Sequence, residues 1–229
     1  MKLRGFLSLI LFMVGLNTTH AQSAVKADLT MEFVSSAVWR GISQGSVALQ
    51  PEVSLGWKGL DFSAWGSAGL SDNVCEIDLT LSYTIGDLTL SVVDYWGNSG
   101  TPTYFDYSPQ TSGHFFEGAV AYNFGPVNAS WQTVFAGRDF QESDGKRAFS
   151  SYLEISAPFK LGGLEWEAVM AVVPWASDFY ETKSFNLTNI SLKAGKPIPI
   201  SERFSLPLYG KLIANPSSRK LFFVAGFIL

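Results

Sequence analysis

The feature that most constrains this chain is a period of two. From about residue 26 onward, runs of about ten residues alternate apolar and polar and then stop at Gly, Pro, Asn or Asp. No helical apolar spacing persists for more than two turns. Alternation of this kind belongs to strands whose two faces meet different solvents. Residues 76–85 carry it most cleanly. Glu76, Asp78, Thr80, Ser82 and Thr84 share one face, and Ile77, Leu79, Leu81, Tyr83 and Ile85 share the other. Gln50, Glu52 and Ser54 likewise oppose Pro51, Val53, Leu55 and Trp57, and Glu117 and Asn123 lie opposite Phe116, Val120 and Tyr122. Glu165 and Glu167 oppose Leu164, Trp166 and Met170.

Continued along the chain, the pattern predicts strands over 26–39, 49–58, 60–70, 75–85, 87–97, 114–124, 127–137, 147–158, 163–174, 184–194, 203–214 and 219–229. Residues 91–96, 171–174 and 189–194 break the alternation. No linker or change of composition divides the series, so a single domain over residues 22–229 is expected.

Composition identifies the second solvent. Charged residues make up 16% of the chain and aromatics 14%, where ordinary globular proteins carry about 25% charged. Past residue 21, however, no apolar stretch approaches the ~18 residues of a membrane helix. Strands facing lipid reconcile the two observations. The expected fold is therefore all-β: a transmembrane, up-and-down antiparallel β-barrel of about twelve strands.

Residues 1–21 read as a signal peptide. Lys2 and Arg4 precede the apolar run Phe6–Leu16, and Thr19-x-Ala21 supplies a small-residue cleavage site before Gln22. The run is shorter than the about 20 residues that cross a bilayer. Export combined with a barrel points to the outer membrane of a Gram-negative cell. The net charge of −4 offers no basic surface for nucleic acid. Cys75 is the only cysteine, which excludes an internal disulfide and a cysteine zinc cluster. No metal or cofactor motif is present.

The connections supply an independent test. Tight turns around Gly59, Gly86, Gly125-Pro126 and Gly162-Gly163 follow every second strand, while the connections near 40–48, 97–113, 138–146 and 175–183 are longer. Outer-membrane barrels put short turns in the periplasm and long loops outside, and an even strand count leaves both termini periplasmic. Aromatics also gather near strand ends: Trp57, Phe62, Tyr83, Tyr122, Phe124, Phe159, Trp166 and Phe204 at the short-turn end. Trp39, Tyr95, Trp96, Phe115, Phe116, Phe135, Phe149, Trp175 and Phe185 fall at the other. Two interfacial girdles predict this distribution, with outer-membrane lipid as the surrounding partner.

Two stretches resemble known proteins. The final segment, Leu221 to Leu229, resembles the signal read by the barrel assembly machinery, except that it finishes on Leu229 rather than Phe or Trp. Val34-Ser35-Ser36-Ala37-Val38-Trp39-Arg40-Gly41-Ile42-Ser43-Gln44, then Gln50-Pro51 and Trp65-Gly66-Ser67, resembles the opening of the Gcw_chp family of exported Gram-negative proteins, close to TorF-type porins. Ala37 stands where that pattern has an aromatic. The resemblance covers about the first fifth of the chain and implies a barrel and a pore, with no substrate or catalytic residue attached.

If the polar faces point inward, the lumen carries Asp28, Glu32, Glu52, Glu76, Asp78, Glu117, Glu154, Glu165 and Glu167, with Arg40, Lys193 and Lys211 as bases. Carboxylate rings favour cations, so a passive channel for small polar solutes with weak cation preference is the expected function. The competing expectations are an ion-paired lumen that is plugged, leaving the aromatic loop 97–113 to meet a partner, and a lipid-modifying enzyme. For Arg40, pairing with a lumenal carboxylate or a lipid headgroup is expected over solute selection, with Trp39 at the interface and Gly41 in the turn. For catalysis, the sequence offers His114, with Ser112 and Asp106 nearby, a spacing that does not make a triad by itself. No enzyme activity is expected.

Overall fold

A computed structural model of the chain describes residues 25–98, 103–141 and 143–229, so the predicted signal peptide lies outside the described residues. Among them are fourteen strands and no helix. These are β1 Lys26–Val34, β2 Ala37–Trp39, β3 Ile42–Gly45, β4 Ala48–Trp57, β5 Leu60–Gly69, β6 Cys75–Ile85 and β7 Leu88–Gly97. They continue as β8 His114–Asn123, β9 Asn128–Gly137, β10 Ser151–Leu161, β11 Leu164–Val173, β12 Asn186–Ser201, β13 Phe204–Asn215 and β14 Lys220–Ile228.

Twelve of the strands form a closed barrel in which each pairs with its sequence neighbour, and β2 and β3 form a separate two-stranded sheet. Closure joins β1 to β14 antiparallel, with Phe33 opposite Phe227 and their rings stacked 5.2 Å apart. Met31 and Leu229 exchange backbone hydrogen bonds of 2.9 and 3.0 Å, so the seam extends to the last residue. No sheet edge is left open along the wall, as hydrocarbon surroundings require.

The alternation read from the sequence sets the faces. Leu81, Tyr83 and Ile85 of β6 are exposed on the outer wall, as are Val53, Leu55 and Trp57 of β4. Their neighbours Glu52, Asp78 and Thr80 face inward: Glu52 lies opposite Trp65, Trp65 opposite Asp78, and Asp78 opposite Tyr95. At the short-turn end, glycine makes the reversals possible. Gly59, Gly86, Gly125, Gly162 and Gly163 all hold positive φ, which costs a residue without Cβ nothing.

Three strands differ from expectation by three residues or more. The predicted strand 147–158 is Ser151–Leu161, because Arg147 is held in a bridge to Phe140 across the preceding loop. The predicted strand 26–39 ends at Val34, because the chain then turns inward to make the β2–β3 hairpin. The predicted strand 184–194 continues to Ser201 through Pro197 and Pro199. Beyond Gly195 the strand has no β11 residue beside it and pairs only with β13, so the missing proline N–H groups leave no ladder partner unsatisfied.

Part of the aromatic expectation is also corrected. Trp57, Phe62, Tyr83, Tyr122, Phe124, Phe159, Phe204, Phe135, Phe149, Trp175 and Phe185 do lie on the exposed outer wall. Tyr95 and Phe115 instead share the inward face of β7 and β8 with Glu117, and Trp39 packs on Tyr95 inside the barrel. The remaining interior packing is apolar at two places. Val34, Ala37, Ala48, Ile213 and Val224 form one cluster and Tyr152, Ala171, Val173 and Tyr180 the other, both touching the hairpin.

Candidate functional site: a hairpin inside the barrel

The connection between β1 and β4 is the element that organises the lumen. Ala37 packs with Val34, Ile213 and Val224, so β2 leans on the inner wall near the seam. The tip of the hairpin stays against β12 and β13, and the Arg40 side chain reaches across to β8. Gly41 holds φ +81°, and a Cβ on it would collide with the Thr188 carbonyl oxygen of β12. From β13, Asn215 donates through Nδ2 to the Gly41 carbonyl at 3.1 Å. A residue with no side chain and a reachable carbonyl is what this approach demands.

Arg40, just before that glycine, joins the hairpin to β8, to β10 and to the loop between β11 and β12. Its Nη1 and Nη2 donate to the two Glu117 carboxylate oxygens of β8 at 2.6 and 2.8 Å, a bidentate pair. Nη1 also donates to the Tyr180 hydroxyl at 2.5 Å, and the Tyr95 hydroxyl donates to Glu117 at 2.9 Å. The guanidinium lies 4.2 Å from the Trp39 ring centroid and 4.7 Å from that of Tyr152 on β10. The Arg40 side chain is 11% exposed and that of Glu117 1%. The contact is charge-assisted, bidentate and shielded from water. Trp39, expected at the membrane interface, is one of its covers, with Tyr95, Phe179 and Tyr180 around it.

The other predicted lumenal residues divide into two groups. On one wall, Glu167 of β11 lies opposite Lys193 of β12, which lies opposite Lys211 of β13. Glu154 of β10 is within electrostatic range of Lys211. Lys193 also sits 4.2 Å from the Tyr209 ring centroid. Acids and bases balance there. Glu32 of β1 hydrogen-bonds Tyr209 and is within electrostatic range of Lys211. On the other wall, Glu52, Glu76 and Asp78 face inward with no ion pair among the described residues, and one Asp78 carboxylate oxygen is buried without a hydrogen bond. Asp28 and Glu165 lie at the short-turn end, where Glu165 pairs with exposed Lys160 at 3.2 Å. The structure thus brings Arg40 and Glu117 together, and Glu154, Glu167 and Lys211 together. Glu52, Glu76 and Asp78 stay unpaired, and Glu165 is held apart from all of these.

His114 is on the other side of the wall. It lies opposite Trp96, on the face that carries Val120 and Tyr122, and residues 103–113 fold over it. Its Nδ1 meets Asp94 at 2.7 Å and its Nε2 meets the Tyr104 carbonyl at 2.5 Å, while Tyr107 stacks on the ring at 4.3 Å. The acid beside the histidine is therefore Asp94, from the adjacent strand, and not Asp106. Asp106 instead accepts from the Ser108 amide and Thr111 hydroxyl, and the Ser108 hydrogen bond chiefly holds its carboxyl below the usual carboxylate range. Ser112 accepts from the His114 backbone amide at 2.9 Å. The hydroxyl and the ring nitrogens thus face different partners. Phe105, on the outside of this strap, is 82% exposed.

Among the described residues no group of three or more His, Cys, Asp or Glu side chains is placed to hold a metal ion.

No family model matches the chain, and no curated protein matches it. A solved membrane-protein structure, from work described as "Unveiling the Mechanism Behind the in-meso Crystallization of Membrane Proteins", is similar in fold at a TM-score of 0.53. The two share 9% identity over 90% of this chain and 83% of the other. Likeness at that identity speaks for the fold alone, a closed antiparallel β-barrel.

Proposed function

We propose that the protein is an outer-membrane channel for small polar solutes that rests closed, with the β2–β3 hairpin as its closing element. The observation that carries this reading is the Arg40–Glu117 pair. A permanent plug is as stable or more stable when it is apolar, because buried charges lose their hydration and regain little of it from each other. A buried ion pair at the tip of an otherwise separate hairpin fits an element that docks and undocks, since both groups regain water when it leaves. Below the hairpin, towards the short-turn end, the inward residues Lys26, Asp28 and Thr84 are exposed, which suits a water-filled vestibule. The unpaired Glu52, Glu76 and Asp78 line one wall of the path, so a cation preference is confined to that side rather than spread around the lumen.

Residues 37–45 can be replaced by a short Gly-Ser linker and the refolded protein put into liposomes. Influx of a small polar solute should then be slow for the wild type and fast for the variant. Equal, slow influx through both folded proteins would overturn the channel reading. A second reading, a closed barrel acting through its surface, is favoured by the exposed Phe105 and Tyr107 on the strap, and equal influx would support it. We read the protein as non-enzymatic, since the Ser112 hydroxyl and His114 nitrogens are each engaged elsewhere and do not meet.

A further inference from the structure

The hairpin does not fill the long-loop end evenly. Its tip leans on β8, β10, β12 and β13, and on the side of β6 and β7 it leaves a cavity of about 150 Å³. Four aromatic rings line this space: Trp39 of the hairpin, Tyr95, Phe115 and Phe179. Two opposite charges line it as well, Glu76 on β6 and Arg138 just past the end of β9. These two do not pair with each other, and among the described residues neither side chain makes a hydrogen bond or an ion pair. Glu76 is half-buried, so its carboxylate has surrendered water without gaining a partner. Arg138 is exposed at the rim.

A glycine adds an independent observation. Gly97, opposite Glu76 in the β6–β7 register, lines the same cavity. It sits at the end of a strand, where glycine weakens the sheet, and its φ requires no special freedom. A Cβ built there would meet nothing within 4 Å. The strand therefore leaves open space beside an unpartnered carboxylate where any other residue would place a side chain. Close approach of a ligand is one of the reasons a strand keeps such a glycine.

From this geometry we infer that the cavity is a binding site for a small zwitterion, a molecule carrying an ammonium and a carboxylate a few bonds apart. The ammonium lies against Glu76 among the rings, where the faces of Tyr and Trp attract cations as the carboxylate does. The ligand's carboxylate is held at the rim by Arg138, whose planar guanidinium suits it. A free cation would satisfy Glu76 but leave Arg138 repelling it, and a neutral solute would satisfy neither. The inference deepens the channel reading by naming a solute class, and it rests on that reading only for the solute's onward passage.

The test is isothermal titration of the refolded full-length mature chain in detergent with glycine betaine, choline and glycerol. Unheated gel mobility first establishes that each variant is folded. Glycine betaine should give saturable binding, choline should bind at least about fivefold more weakly, and glycerol should give none. Glu76→Gln should weaken glycine betaine by about tenfold or more. Gly97→Val should abolish binding by filling the space, and Arg138→Gln should bring glycine betaine and choline level. No saturable binding to the folded wild type would overturn the inference, as would equal affinity in Gly97→Val and Glu76→Gln, or choline binding as tightly as glycine betaine. Titration needs no ion or solute flux, so binding without permeation would sustain the site while the channel reading fell. Permeation without binding would do the reverse.

Discussion

Replacing Arg40 with alanine removes the guanidinium and leaves Glu117 where it is, 1% exposed, with the Tyr95 hydroxyl as its remaining donor. Breaking a buried ion pair by deleting one partner costs about 3–5 kcal/mol. The cost here belongs near the bottom of that range. Tyr95 still donates, and the vacated space lies beside a side chain that was 11% exposed, so water can follow. The relevant comparison is the hairpin docked against undocked, and undocking hydrates Glu117. About 3 kcal/mol lost from the docked state raises the undocked population about a hundredfold, at one decade per 1.4 kcal/mol. Hydrogen exchange reads that population directly. The Ala37 amide, which donates to the Ser46 carbonyl at 3.0 Å, should exchange about a hundred times faster in Arg40→Ala, if docking governs its protection. The Leu153 amide in the wall should keep its wild-type rate. The double variant Arg40→Met with Glu117→Leu should recover most of the lost protection, because no charge is left buried. Unchanged exchange at Ala37 in the single variant, or equal exchange in the single and double variants, would refute the reasoning.

Gly41→Ala should undock the hairpin without touching a charge, because its φ of +81° and the nearby Thr188 carbonyl both reject a Cβ. Strain of about 1–3 kcal/mol is expected, seen as faster Ala37 exchange. Tyr152→Phe removes a buried hydroxyl that accepts from Asn189 at 3.1 Å and should cost about 1–3 kcal/mol. Its thermal midpoint in detergent, followed by circular dichroism, should fall accordingly. Asp72, between β5 and β6, accepts from the amides of Ser46 at 2.7 Å and Val74 at 3.2 Å, and the Ser46 bond chiefly holds its carboxyl below the ordinary 3.8. A depressed carboxyl stabilises the fold above its unfolded value and loses that contribution as pH falls through the folded one. The Ser46 and Val74 amide shifts should therefore titrate together with a midpoint below 3.8, and a midpoint at or above 3.8 contradicts the account.

The barrel is legible because two faces in different surroundings write a period of two into most of the wall strands. Leu81, Tyr83 and Ile85 against Thr80, Ser82 and Thr84 can be placed on opposite faces without coordinates. The hairpin was not legible, because Val34 to Gln44 continues in β-prone residues and nothing local says that the chain leaves the wall. Gly41 was the available signal, and it was read as a turn. What it also permits, contact with a carbonyl some 150 residues later, depends on closure of the barrel. For Arg40 the sequence leaves a lumenal carboxylate and a lipid headgroup both open, and the choice of Glu117 is a long-range fact. Tyr95 and Phe115 were assigned to the girdle by their position near strand ends. Parity with Glu117 on the same strand sends Phe115 inward, whereas Tyr95 follows it only through the β7–β8 register, and Asp94, on the outward face of β7, is hidden because residues 91–96 break the alternation. The prolines at 197 and 199 concealed strand for the opposite reason: a breaker is tolerated where a neighbouring strand has already ended.

The central claim is that the hairpin closes a conducting barrel. Single-channel recording of the refolded mature protein in a planar bilayer, under a salt gradient, tests it most directly by comparing the wild type with Arg40→Ala. The wild type should be closed for most of the record and the variant should show frequent discrete openings. The reversal potential of those openings should be on the cation side and should shift towards zero when Glu76→Gln and Asp78→Asn are added. Wild type and variant conducting alike, or both silent while folded, would contradict it.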